Sequence, residues 1–224
     1  MKLEIKNLDK EYTQGDQKIK ALSKVSLTIK SGDFISVTGR SGGGKTTLLN
    51  VIAGLTLPDS GMVLLDGKDI FKFSDAVQSM YRNEKIGCVP QQHSMLANLS
   101  VLDNVRIPFH LAKRKGDSTE EALRLLDLVG IENLASRMPK RLSGGQLKRV
   151  AIARAIMNKP SILLADEPTG DLDTQTTKDI MKILRMVASE GTAVIMVTHD
   201  HDAVEFADIH YKMEDGKLKS SAKK

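Results

Sequence analysis

Phe34-Ile35-Ser36-Val37-Thr38-Gly39-Arg40-Ser41-Gly42-Gly43-Gly44-Lys45-Thr46-Thr47 is the stretch that decides the fold. Its apolar start follows the turn signal Ser31-Gly32-Asp33 and predicts a short buried strand. From Thr47 to Ala53 the spacing is helical, and Gly54 stands where a helix is expected to end. A strand, a glycine-rich turn and a helix, with Gly39-x-x-x-x-Gly44-Lys45-Thr46 at the turn, match the loop pattern that cradles phosphates. Glycines let the backbone wrap closely around a polyphosphate with N–H groups pointing inward. The helix opening at Lys45 adds the positive end of its dipole. Lys45 supplies a point charge to the β- and γ-phosphates, and the Thr46 hydroxyl is placed to ligate Mg²⁺. Arg40, Ser41, Gly42, Gly43 and Thr47 complete the cradle. The loop alone says nucleotide and no more.

Outward from the loop, strands and helices alternate. Leu3 and Ile5, and then Val25, Leu27 and Ile29, alternate with polar residues and predict half-exposed strands. Met62 to Leu65 is a short strand closed by Asp66-Gly67, and Ile86 to Val89 is another, stopped by Pro90. Cys88, the single cysteine, reads as a buried strand thiol without a role. From 92 to 141 helical spacing takes over, as in Ala122, Leu125, Leu126 and Val129, which predicts a helical insertion. Strand texture returns at 161–165 and 193–197, with a helix over Thr174–Ser189 ending near Gly191, and Asp215-Gly216 predicts a closing hairpin. Strands alternating with helices argue for an α/β protein whose mostly parallel sheet is covered on both faces. The whole chain, 1–224, reads as one domain, with 1–91 and 142–224 as the core and 92–141 as a helical subdomain.

Two further strands end in chemistry. Ile162-Leu163-Leu164-Ala165-Asp166-Glu167 is an apolar run that delivers two acids to the C-terminal edge of the sheet, where ligands bind in open α/β folds. Adjacent strand residues point to opposite sides, so Asp166 is the expected Mg²⁺ partner and Glu167 the expected general base for an attacking water. Ala193 to Val197 repeats the layout and ends in Thr198-His199. His199 is expected either to hydrogen-bond the γ-phosphate or to hold the geometry of Glu167 and its water.

Leu142-Ser143-Gly144-Gly145-Gln146, followed by a helix from Gln146 to Met157, resembles the signature motif of ABC-type ATPases. Ser143, its two glycines and the helix N-terminus form a second anion cradle. The resemblance spans nearly the whole chain and implies a P-loop NTPase (RecA-like) core with an N-terminal antiparallel β subdomain and a helical insertion. It implies ATP hydrolysis with Mg²⁺ in a head-to-tail homodimer, where Ser143, Gly144, Gly145 and Gln146 of one copy close on ATP held by the other. Residue by residue it makes Tyr12 the aromatic that stacks on adenine and Gln91 the glutamine that senses Mg²⁺ and the γ-phosphate. It makes Asp173 part of the loop that crosses the dimer interface, and His199 the switch histidine. Lys45, Glu167 and His199 are then the catalytic residues. Ala165 to Gly170 and Asn98 to Val105 look like the group of lipoprotein-releasing and macrolide-export-type ATPases, although Pro90 and Asp171 depart from that group's usual residues.

Composition limits the rest. The 224 residues are 41% hydrophobic and 27% charged, which is ordinary globular material. A net charge of +5 is too weak to argue for nucleic acid, so none is expected as a partner. One cysteine rules out a disulfide scaffold and a multi-cysteine zinc site. No apolar run is long enough to cross a bilayer, and MKLEIKNLDK lacks the apolar core of a signal peptide. The expectation is a cytoplasmic protein held at the membrane face by an integral membrane permease. The alternative is a non-transport ABC ATPase that regulates cell-division or cell-wall machinery. Lys217, Lys219, Lys223 and Lys224 read as a solvated tail.

Overall fold

The structure, a computed structural model, describes residues 1–92 and 94–221. The chain opens with a long hairpin, β1 (Lys2–Gln14) and β2 (Gln17–Lys30), followed by β3 (Phe34–Thr38) and α1 (Lys45–Ile52). β4 (Ser60–Leu65) and the short β5 (Lys68–Asp69) come next, joined by Asp66-Gly67 with both residues at positive φ. Then follow α2 (Asp75–Glu84), β6 (Ile86–Val89), α3 (Val101–Leu111), α4 (Thr119–Leu128) and α5 (Gly144–Ile156). The chain finishes with β7 (Ile162–Asp166), α6 (Thr174–Ser189), β8 (Ala193–Thr198), α7 (His201–Val204), β9 (Ile209–Glu214) and β10 (Lys217–Ser220).

Two sheets result. One is antiparallel, in the order β2-β1-β4-β5, and the other runs β10-β9-β3-β8-β7-β6. All neighbours in the second are parallel except β10, which returns antiparallel on β9. Alternation of side chains explains why its central strands read as unbroken apolar runs. Leu163, Ala165, Val194 and Met196 pack into a cluster with α3 to α6, while Ile162, Leu164, Ile195 and Val197 pack into a second cluster with α1 and the antiparallel sheet. A strand buried on both faces needs apolar residues at every position.

The helices follow from their own residues. α6 buries Thr177, Ile180, Met181, Leu184, Val187 and Ala188, a stripe at helical spacing, and the Asp173 carboxylate caps it by accepting from the Thr176 N–H at 2.9 Å. Val101, Val105, Ala122, Leu125 and Leu126 join the cluster that α5 and α6 also fill, so α3 and α4 share that apolar face.

Two expectations need correction. Cys88 is exposed rather than buried. β6 is the edge strand, and the cluster that covers Ile86 on the same face does not reach Cys88. Lys217 and Lys219 belong to β10, with Lys219 paired to Glu214 at 3.3 Å, while Lys223 and Lys224 lie outside the described residues. Among the described residues no helix is long and apolar enough to cross a membrane.

Candidate active site

β3, β7 and β8 are parallel neighbours, so their C-terminal ends bring Gly39, Asp166 with Glu167, and His199 to one edge of the sheet. A cavity of about 690 Å³ opens there, within the range of small-molecule sites. Tyr12, every residue from Gly39 to Thr47, Gln91, Asp166, Glu167 and His199 line it. Sequence reasoning did not single out Ile19 and Ala21, which also line it. Ile19 sits opposite Tyr12 across the β1–β2 ladder, and the two form an exposed apolar platform at the mouth.

The loop is sterically committed to glycine at two points. A Cβ on Gly39 would run into the Met213 carbonyl of β9, and one on Gly44 (φ 101°) into the Ala21 carbonyl of β2. The loop is thus wedged between two strands; the Gly43 N–H turns back to the Arg40 carbonyl at 3.1 Å, and glycine lets the rest of the backbone approach a ligand closely. Lys45 is buried, and its Nζ donates to the Gly39 carbonyl at 2.8 Å and the Arg40 carbonyl at 3.1 Å. The ammonium is therefore held over the loop before any phosphate engages it.

Thr46 Oγ1 donates to Asp166 Oδ2 at 2.9 Å, which joins the first turn of α1 to the end of β7. Burial pushes the Asp166 carboxyl up from its ordinary range, and so does the Glu167 charge; the Thr46 hydrogen bond and the Lys45 and Lys148 charges oppose this. A hydroxyl and a carboxylate in contact at the phosphate end are hard oxygen donors of the kind Mg²⁺ takes. Among the described residues no group of three or more His, Cys, Asp or Glu gathers to hold a metal, so the donor set suits an ion bound largely by phosphate and water.

Glu167 departs from the expected strand alternation. β7 ends at Asp166, and Glu167 has φ 45°, a left-handed conformation that costs about 1–2 kcal/mol for a residue with a Cβ. Its N–H donates to the Val197 carbonyl at 2.9 Å, which holds the turn against β8. Its carboxylate is almost fully enclosed, with His199 Nδ1 3.0 Å from Oε1 and the His199 N–H donating to Oε2 at 3.3 Å. The hydrogen bond that the His199 ring donates to Glu167, and then the Glu167 charge, raise the His199 pKa above its ordinary value. His199 thus contacts Glu167 through both its ring and its backbone N–H.

The remaining candidates lie elsewhere. Ser143, Gly144, Gly145, Gln146 and Asp173 line none of the cavity. Ser143 caps α5 instead: its Oγ accepts from the Gln146 N–H at 3.4 Å, and Gln146 Oε1 accepts from the Ser143 N–H at 3.0 Å. A Cβ on Gly145 would press on the Thr176 methyl at 2.7 Å, so this turn packs against the start of α6. Lys148, which sequence reasoning passed over, is buried in α5 and donates to the backbone carbonyls of Gln91 and Glu167. Its neighbours in sequence, Leu147 and Arg149, give no sign of that burial.

The chain is similar to known proteins over nearly its whole length. The family model described as ABC transporter matches residues 22–170. The macrolide export ATP-binding/permease protein MacB of Chlorobaculum tepidum is 41% identical over 99% of this chain, which spans only 34% of that protein. The uncharacterized ABC transporter ATP-binding protein YvrO of Bacillus subtilis is 41% identical over 96% of this chain and 95% of its own length. The lipoprotein-releasing system ATP-binding protein LolD of Shewanella frigidimarina is 39% identical over 96% of this chain and 91% of its own length. Among solved structures, the dimeric bacterial ABC transporter cassette MJ0796 superposes with a TM-score of 0.90 at 37% identity, over 99% of this chain and 100% of that one. A post-hydrolysis state of the same cassette, bound to ADP and Pi, matches equally well. Matched in family, in relatives covering nearly all of this chain and in architecture, the chain belongs to the ABC transporter family as an ATP-binding domain with ATPase activity.

Proposed function

We propose that two copies of this ATPase close head to tail on two ATP molecules and that the closure drives an integral membrane permease from the cytoplasmic face. The observation that carries the reading is a division of labour within one chain. The phosphate loop, Gln91, Asp166, Glu167 and His199 share a cavity that Ser143, Gly144, Gly145, Gln146 and Asp173 do not touch. A second anion cradle away from the first is useful only if another copy supplies the ligand. The dimeric cassette MJ0796, similar over the whole chain, supports the same arrangement.

Within each site Tyr12 and Ile19 receive the base, while the loop amides and Lys45 receive the β- and γ-phosphates. Thr46, Asp166 and Gln91 would hold Mg²⁺, which when bound neutralises charge on the phosphate oxygens. Glu167 accepts a proton from the water that attacks the γ-phosphorus as the bond to the ADP oxygen breaks. His199 fixes the Glu167 carboxylate through its ring and its backbone N–H. Ser143 of the other copy adds hydrogen bonds that exist only in the closed pair, so the triphosphate favours closure through its differential affinity for the two states.

The boundaries 1–91, 92–141 and 142–224 then separate a nucleotide core from a helical arm, and the permease docks where they meet. A cleft of about 480 Å³ between α2, β6, α3 and α5 supports that site. Leu111 and Cys88 are exposed there, and Met80 is exposed next along α2 from the lining residue Ser79. The system it powers is read as an exporter or a lipoprotein- or peptide-handling one, and relatives named for macrolide export and lipoprotein release support the first two. The test is Glu167→Gln with ATP. Turnover is expected to fall about 10²–10⁴-fold, the usual share of a general base, while gel filtration shows a stable dimer. A variant that stays monomeric or hydrolyses normally would refute the assignment.

A further inference from the structure

We infer that Lys148 is a positioning residue for hydrolysis, whose ammonium ties the turn carrying Gln91 to the turn carrying Glu167. The inference rests on the reading of Glu167 as the residue that activates water. Lys148 lies one turn into α5 and is 1% exposed. Its Nζ donates to three backbone carbonyls: Pro90 at 3.1 Å, Gln91 at 2.8 Å and Glu167 at 3.2 Å. An ammonium has three protons, and each has an acceptor.

A lysine that served only to fill space in a core would be a poor choice. Burying a charge is unfavourable unless all its hydrogen bonds are met, and apolar residues of similar volume pack as well without that risk. Here burial does pull the Lys148 pKa down, against the charges of Asp166, Glu167 and Asp171. The acceptors also come from distant parts of the chain, 57 and 58 residues upstream and 19 downstream. Gln91 and Glu167 face the same cavity from the ends of two neighbouring strands, β6 and β7. Among the described residues the β6–β7 pairing stops at Val89 and Ala165, and Lys148 spans the two turns beyond it.

The Glu167 end has a particular need for such a tie. Its left-handed backbone persists only when surrounding contacts over-determine it. The Val197 carbonyl holds its N–H, and its own carbonyl accepts from Gly170 N–H at 3.2 Å as well as from Lys148. Without the ammonium the carbonyl side of the turn keeps one long hydrogen bond, and the Gln91 turn loses its link to the site. Misplacement of a catalytic group by about 1 Å lowers the rate about 10²-fold.

The experiment measures steady-state ATP hydrolysis and nucleotide affinity on the full chain. Lys148→Met, which keeps length and removes every donor, is expected to lower kcat about 10²-fold with KM within about threefold of wild type. Lys148→Arg, which keeps the cation and its donors, is expected to recover about tenfold of that loss. If Lys148→Met does not fold, Lys148→Gln, with one amide donor group, carries the same expectation with a smaller loss. A folded Lys148→Met or Lys148→Gln with wild-type kcat, a loss confined to KM, or a Lys148→Arg no better than Lys148→Met would overturn the tie. Glu167→Gln measured alongside separates the two claims. Turnover retained there removes the reading of Glu167 and the inference with it, whereas turnover lost there and normal in Lys148→Met overturns the inference alone.

Discussion

The phosphate loop and the signature turn are both glycine-bearing turns that open a helix, yet they sit in the fold quite differently. The loop before α1 is surrounded: Gly39 and Gly44 press on strands β9 and β2, Lys45 is buried, and Thr46 is bonded to Asp166. The turn before α5 is exposed at Ser143 and Gly144 and satisfies itself, because Ser143 and Gln146 close a capping box within four residues. One turn opens onto a cavity that it shares with the Asp166 and Glu167 carboxylates. The other is a well-capped helix end whose Gly144 and Gly145 N–H groups have no hydrogen-bond partner among the described residues. The contrast supports the proposal that the chain carries two complementary halves of a site that two copies assemble.

Several measurements bear on that contrast. Glu167→Gln carries the largest effect, as set out above, and it should fall on turnover and leave nucleotide binding intact. Lys45→Ala removes the cation from the enclosed turn and is expected to weaken ATP binding to the monomer about 10²-fold or more by equilibrium titration. Wild-type affinity there would count against the loop as the primary site. Ser143→Ala acts on the exposed turn and separates the halves more sharply. At protein concentrations too low for dimers its ATP affinity should be unchanged, while ATP-driven dimerisation falls about tenfold for one lost hydrogen bond to a charged phosphate. Loss of the cap should also lower stability by about 1 kcal/mol in denaturant melts. Weaker ATP binding by the monomeric variant would show that the two turns are not separate.

The smallest effect is a titration. The hydrogen bond to Glu167 raises the His199 pKa above 6.5, so the pair is fully formed below that value and is lost as pH rises through the raised pKa. The His199 side chain is 74% exposed, so the change in global stability should be slight. Proton NMR of the His199 ring should show its pKa falling back towards the ordinary imidazole value in Glu167→Gln. An unchanged titration would mean that the contact does not persist in solution.

Much of this was legible in the sequence because the signals are local. The α6 bounds follow from the Asp173 cap and from Gly191, at φ 99° just past the helix end. The β3–loop–α1 unit follows from glycine spacing and a buried run. What escaped depends on contacts between distant segments. Side-chain alternation predicts directions only within a strand, and the strand stops at Asp166, so the left-handed turn that aims Glu167 at His199 was invisible. Cys88 looked buried because its neighbours are apolar, but cover for an edge strand depends on which elements pack beside it. Lys148 looked like one of many solvated lysines, since lysine is rarely buried and its three acceptors come from two remote turns.

The central claim is that ATP brings the phosphate loop of one copy against the signature turn of the other. Ser41 and Ser143 are both exposed, one in each turn, and both tolerate cysteine in size. A Ser41→Cys, Ser143→Cys double variant, with Cys88→Ser to remove the native thiol and Glu167→Gln to hold the closed state, can be oxidised with and without nucleotide. A covalently closed dimer should form with ATP, should be absent with ADP, and should not arise when either engineered cysteine stands alone. No crosslink in ATP, or the same yield without nucleotide, would contradict the account.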